Sequence, residues 1–397
     1  MTEHFGRVYG RKDGRPLVAR RGGCRSMVMA GPPMLVPASG SPLSLGPGPS
    51  NVAISDINGD GTPDLVVTGR ERRVTILFGQ GDGRFLSTRD GTIDVPESPS
   101  ELALGDVNGD GFVDLALASH ESYNVVLLWG DGRGRFHIAP GSSVAMKAGR
   151  QPHTHGLAIA DFNNDGKADL VTVNSNDDND VAVMLGDGRG GFARAPGSPF
   201  AVGPGPYPLA LGDLDADGKL DAAVTSTGFQ SGTVSPAPGD RLTLLFGDGR
   251  GGFRRSDIPQ RTGRTWFVAI GDVNGDRRPD LVTTHIDSAL VSVLLGDGRR
   301  NFTEAGGSPI QLGEQAWYVG LVDLNRDGRA DLVAAANTGV RALIGDGRGG
   351  FTPAPGSPFS TGKGTWKFAA ADVNADGKSD VAASSLESDS VSVLLGR

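Results

Sequence analysis

The sequence predicts an all-β fold: one seven-bladed β-propeller of four-stranded antiparallel blades, its ring closed by an N-terminal strand in the last blade. Three observations predict it. A nine-residue pattern, D-x-[ND]-x-D-x-x-x-D, opens at Asp56, Asp106, Asp161, Asp213, Asp272, Asp323 and Asp372, at intervals of 49 to 59 residues. An apolar run ending in a glycine-rich turn and a Phe trails the first six copies, as in VAVMLGDGRGGF from Val181 and VSVLLGDGRRNF from Val291. The repeats are also out of phase with the chain ends, as a closed ring requires.

Each period reads as four short strands. An apolar run such as Phe267–Ile270 precedes the acidic loop, and a β-branched or Ala-rich run such as Leu65–Thr68 follows it. The V-x-x-L-L-G run makes a third strand, a Gly-Asp-Gly turn closes the hairpin, and a Phe opens the fourth. No period holds an amphipathic helix of useful length. Four-stranded sheets repeated at this period protect their edges by radial closure. A linear β-solenoid is the alternative, but its rungs are usually shorter and it needs caps.

The termini separate the two. The seventh copy stops at Val391–Arg397, one strand short. Gly-Ser-Pro recurs in the fourth strand at Ser198, Ser308 and Ser357, each 15 residues before the next acidic loop, and Ser41 keeps the same spacing to Asp56. Residues 34–46 are therefore expected to supply the missing outer strand.

Composition bounds the rest. The 397 residues carry a formal net charge of -8, which argues against a nucleic-acid partner. No apolar run approaches the length of a membrane span. The single Cys24 excludes an intrachain disulfide. Residues 1–33 hold Arg7, Arg11, Lys12, Arg15, Arg20, Arg21 and Arg25 against Glu3 and Asp13, and are expected to form a disordered basic arm outside the propeller of residues 34–397. They lack the apolar core of a secretory signal. Met27 and Met34 are alternative starts.

The loop chemistry is explicit. In Asp56-Ile57-Asn58-Gly59-Asp60-Gly61-Thr62-Pro63-Asp64, side chains at positions one, three, five and nine offer hard oxygens, and the carbonyl at seven offers another. That donor set suits Ca²⁺, which takes six to eight oxygens. A simple Asx turn needs one such residue, not four at fixed offsets in seven copies.

These loops with their flanks, as in AIGDVNGDRRPDLV, resemble the FG-GAP/VCBS repeats of integrin-α-like propellers, and the resemblance covers roughly residues 34–397. It implies one Ca²⁺ per blade, up to seven, each in the loop between the innermost and second strands. The implied ligands are Asp56, Asn58, Asp60 and Asp64 in blade one and Asp106, Asn108, Asp110 and Asp114 in blade two. Blade three has Asp161, Asn163, Asp165 and Asp169, and blade four Asp213, Asp215, Asp217 and Asp221. Blade five has Asp272, Asn274, Asp276 and Asp280, blade six Asp323, Asn325, Asp327 and Asp331, and blade seven Asp372, Asn374, Asp376 and Asp380. Arg277 replaces the turn glycine in blade five and makes that site the odd one. Seven Ca²⁺ would move the formal charge from -8 to +6.

The opposite face is where a ligand is expected. The position six residues before each loop reads Ser50, Ser100, His155, Tyr207, Trp266, Trp317 and Trp366 around the ring. Trp266, Trp317, Trp366, Tyr207 and His155 are candidate ligand-binding residues; the competing reading is that the rings plug the channel mouth. His120, His153 and His285 are expected on the same face, scattered rather than clustered. Gly228–Asp240 and Asn174–Asp180 read as polar surface loops. Arg133, Arg189, Arg250, Arg299 and Arg348 of the hairpin turns are expected as an exposed or salt-bridged ring on the calcium face.

No nucleophile elbow, phosphate-cradling loop or zinc spacing is present. The expected function is therefore a non-catalytic calcium-binding scaffold outside the cell or in its envelope, recognising a glycan or an extracellular protein. A propeller lyase or hydrolase with its site at the channel mouth is the alternative.

Overall fold

The computed structural model describes residues 32–397 except 177–178, 231–232, 235–240 and 261, with backbone alone at 89, 90, 140, 229, 230, 233 and 234. The expected basic arm up to residue 31, and most of the Gly228–Asp240 loop, lie outside the described residues.

Seven antiparallel sheets form the ring. In blade one the strands run outward as Pro49–Ser55, Asp64–Gly69, Arg73–Gly79 and Phe85–Asp94. The others follow the same order, with a small extra hairpin, Phe229–Gln230 and Thr233–Val234, inserted in blade four. Blade seven is composite. Thr365–Ala371, Asp380–Ser385 and Ser390–Gly396 are joined on the outside by Leu35–Pro37, with Leu35 opposite Gly396, and by Leu43–Ser44. The chain start thus clasps the chain end, as the phase of the repeats requires.

The Gly-Ser-Pro copies act alike. In blades three, five, six and seven the outer edge is interrupted at a cis Ser-Pro bond. Each time the Ser hydroxyl accepts the N–H that the break would leave unpaired on the third strand: Val183 to Ser198, Val293 to Ser308, Ala342 to Ser357 and Val393 to Ser41, at 2.9–3.0 Å.

Stability resides between blades. Seven apolar clusters occupy the seven blade interfaces, because each second strand is buried on both faces. The residue at position two of each acidic loop enters the cluster shared with the next blade: Ile57, Val107, Phe162, Leu214, Val273, Leu324 and Val373 are all at most 3 % exposed. Burying such a side chain contributes roughly 1.5–3 kcal/mol. Every loop is thereby pinned to the neighbouring interface.

Candidate functional site

The acidic loops join inner to second strands in all seven blades, as expected. Position one accepts backbone N–H groups from within its loop; Asp56 takes those of Gly59, Asp60 and Gly61 at 2.8–3.2 Å. Position five accepts the N–H of position seven, as from Thr62 to Asp60 at 2.8 Å. Both positions four and six adopt positive φ. Gly275 at position four has φ 80° and Arg277 at position six 64°. Arg277 donates its N–H to Asp272 at 2.7 Å, the bond Gly61 makes to Asp56, so the blade-five loop closes like the rest despite its side chain.

Position nine does something different. It opens the second strand, and both its oxygens hold buried backbone. In blade six, Asp331 accepts Leu324 N–H and Gly345 N–H, each at 2.9 Å. In blade three, Asp169 accepts Phe162 at 2.8 Å and Gly186 at 2.7 Å. The same pair recurs in blades one, two, four, five and seven. The partner glycine ends the third strand, where a Cβ at Gly345 would stand 2.2 Å from the Ala330 carbonyl. That contact explains the glycine of the V-x-x-L-L-G run. Burial, and then the loop's own carboxylates, push Asp64 and Asp221 up to about 6.

Among the described residues, one of the seven loops brings three carboxylates together as a cation site would need. In blade four, carboxylate atoms of Asp213, Asp215 and Asp221 lie within 4.8 Å of one another. Asp215 Oδ1 is buried without a hydrogen-bond partner, while its Oδ2 takes Arg300 Nε at 2.5 Å. An orphaned buried carboxylate oxygen beside two more carboxylates fits a hard divalent cation. The hairpin-turn arginines on this side, Arg133, Arg189, Arg250, Arg299 and Arg348, carry exposed side chains.

At the opposite end, every inner strand slips register near the residue six before the loop, for example between Thr154 and Gly156 and between Thr365 and Phe368. Such bulges re-aim side chains, and here they bring the mouth residues together. His155 and Tyr207 stack at 4.0 Å between ring centroids, Tyr207 and Trp266 at 4.4 Å, and Trp317 and Trp366 at 5.6 Å. Trp266 also meets Trp317 and Trp366 edge-on. Ser50 and Ser100 leave the other part of the ring open, and a cavity of about 440 Å³ lies there. Ser50, Ser100, Glu101, His120, His155, Tyr207, Trp366 and Lys367 line it, with Arg70 and Glu121 at its edge. Trp266 and Trp317 stand outside that lining, packed on each other.

The next layer down was missed by the sequence reading. Lys367 Nζ reaches Glu101 at 2.6 Å and Asn51 Oδ1 at 2.7 Å, linking blades seven, two and one across the channel. The pair is only 13 % and 14 % exposed. Burial raises the Glu101 carboxyl, and Lys367 opposes that shift. The signal was available: Asn51, Glu101 and Lys367 share the repeat position one residue beyond the aromatic ring. Tyr318 of the same layer is pushed up to about 12, chiefly by burial.

The histidines also depart from expectation. His120, His153 and His155 are clustered, with ring centroids 4.2–4.8 Å apart. Burial, helped by its neighbours, brings His120 down to about 4. His285 stands apart, fully buried, its Nε2 2.8 Å from both Thr262 and Ser292 hydroxyls.

Residues 56–117, 106–172, 161–224, 273–334 and 323–383 match the FG-GAP-like repeat, each stretch running from one acidic loop into the second strand of the next blade. The chain belongs to the FG-GAP-like repeat family. Among curated proteins it is similar to cartilage acidic protein 1 of Mus musculus, 28% identical over 163 residues, which is 38% of this chain and 24% of that protein. The FG-GAP chain therefore matches about a quarter of that relative's length. Solved structures share the fold. They include a chain of the BBS1N–ARL6DN complex, with TM-score 0.62, 11% identity, and coverage of 92% of this chain and 98% of that one. An Agrocybe aegerita lectin that recognises non-reducing terminal N-acetylglucosamine has TM-score 0.52, 18% identity, and coverage of 77% and 79%. The periplasmic gluconolactonase of Pseudomonas aeruginosa has TM-score 0.55, 14% identity, and coverage of 81% and 94%. Among the described residues, no helix is long and apolar enough to cross a membrane.

Proposed function

We propose that this FG-GAP propeller is a calcium-stabilised, non-catalytic binding module that takes the end of a glycan into the cavity at its channel mouth. One observation carries the reading: the cavity combines aromatic rings, Trp366 and Tyr207, with hydroxyl, carboxylate and ammonium groups of Ser50, Ser100, Glu101 and Lys367 on rigid inner strands. Sugar rings need both an apolar face and convergent polar groups, as small-molecule sites generally do. The lectin among the fold neighbours makes glycan capture by such a ring a sound class to test.

Bound Ca²⁺ would neutralise the loop carboxylates, which already converge in blade four. Positions one, three and five would hold it, with position nine sharing its oxygens between the ion and the backbone. Residues of the loops thus serve the scaffold, and those of the mouth serve recognition. A location outside the cell, where calcium is abundant, accords with this.

Glycan-array screening followed by calorimetry tests the proposal. Wild-type protein should select a carbohydrate, and Trp366→Ala and Ser100→Trp, one removing a stacking face and one filling the gap, should each abolish binding. Retention of binding by both variants would reject the site. Enzymatic action is the second reading, favoured by the buried Glu101–Lys367 pair beside the histidines. Product formation from the selected glycan, lost in Glu101→Gln, would support it over simple binding.

A further inference from the structure

We infer that His120, His153 and His155 form a binding site for one divalent transition-metal ion of the zinc class, at the channel mouth and remote from the acidic loops. One ligating nitrogen from each of the three side chains lies within 4.8 Å of the others. The three come from rigid places: His120 directly follows the blade-two strand Asp114–Ser119, His153 precedes the blade-three inner strand Thr154–Ala160, and His155 lies at its bulge. A tetrahedral ion with Zn–N of about 2.1 Å would set ligating nitrogens about 3.4 Å apart. Closing a separation of 4.8 Å to that spacing takes a relative shift of up to about 1.4 Å, shared between two side chains.

The surroundings match what such sites use. The Thr154 carbonyl lies beside His120, and a backbone carbonyl is the kind of outer partner that fixes the tautomer of a metal-bound histidine. The segment is braced across the blade interface by Ser100 Oγ to Thr154 O at 3.1 Å and Tyr123 Oη to Gln151 O at 2.8 Å. Imidazole donors favour zinc, nickel, copper or cobalt over calcium, so this site and the loops would not compete for the same ion. His120 and His155 both line the 440 Å³ cavity, which leaves an ion there an open position facing whatever enters. Three protein ligands with an open fourth position is an arrangement that binds or polarises a ligand oxygen.

The inference goes beyond the glycan reading and does not depend on it. The test is a Co²⁺ titration of the full chain in excess Ca²⁺, so that the acidic loops are saturated, followed by visible absorption. Wild-type protein should bind one Co²⁺ per chain with the intense d–d bands of a nitrogen-ligated, low-coordinate ion, and Zn²⁺ should displace it. His153→Ala and His120→Gln, both at side chains with solvent access, should each weaken binding at least 30-fold while leaving the thermal melt in Ca²⁺ unchanged. Absence of saturable Co²⁺ binding in the wild type would overturn the inference without recourse to any variant. So would equal binding by the wild type and the His120→Gln/His153→Ala double variant.

Discussion

Asp331→Ala separates two jobs that the acidic pattern combines. Asp331 is fully buried and holds Leu324 N–H and Gly345 N–H at 2.9 Å each. Truncation leaves two buried donors without partners, at about 1–3 kcal/mol apiece. Burial together with Asp327 and Asp323 already penalises its ionised form, so relief of that penalty returns part of the loss. A net destabilisation of about 3 kcal/mol is expected, a fall of roughly 3–5 °C in melting midpoint for a chain of this size. Loss of the bond to Leu324 also loosens the loop from the blade-six to blade-seven core. The assay is thermal and urea unfolding of wild type, Asp331→Ala and Asp327→Ala, each in chelator and in Ca²⁺. Asp331→Ala should lose stability in both conditions. Asp327→Ala, exposed at position five, should resemble wild type in chelator and lose part of the calcium-dependent gain. The reasoning fails if Asp331→Ala melts like wild type in chelator, or if the two variants behave identically.

Other consequences can be checked in the same protein. Lys367→Met should cost about 3 kcal/mol by stranding Glu101, and Lys367→Met with Glu101→Leu should recover most of it in urea unfolding. Leu35→Ala should cost about 2–5 kcal/mol, because Leu35 is 2 % exposed and seals the composite blade, whereas Leu86→Ala on the outer strand of blade one, 55 % exposed, should change little. For His285, burial lowers the pKa from 6.5 to about 4. A base with a depressed folded pKa binds fewer protons when folded, so its contribution is present above pH 6.5 and is lost as pH falls toward 4. The stability difference between wild type and His285→Gln should therefore shrink by up to about 3 kcal/mol over that window, measured by unfolding at stepped pH.

The repeat pattern made the fold legible because seven copies average out local ambiguity. The phase of Ser41 and of Val391–Arg397 even located the closing strand. The loops were legible as donor sets, but the division of labour within them was not. Asp64 and Asp60 look equivalent in sequence; only the backbone shows that Asp64 clamps Ile57 and Gly79 while Asp60 faces outward. The mouth was half legible. Its aromatic positions were found by repeat offset, yet which of them line a cavity depends on the size of their neighbours: Trp266 and Trp317 fill space against each other, and Ser50 and Ser100 leave it. The histidine cluster escaped because His120 belongs to a different repeat position from His153 and His155, and the bulge at His155 has no residue signature.

The seven acidic loops are proposed here as metal sites supporting one rigid ring. Equilibrium dialysis against Ca²⁺ with metal analysis, paired with melts before and after chelation, tests this directly. About seven Ca²⁺ per chain are expected, with a melting temperature that falls substantially in excess EGTA and returns on reloading. Protein that binds no Ca²⁺, or whose melt is the same loaded and stripped, would contradict the proposal.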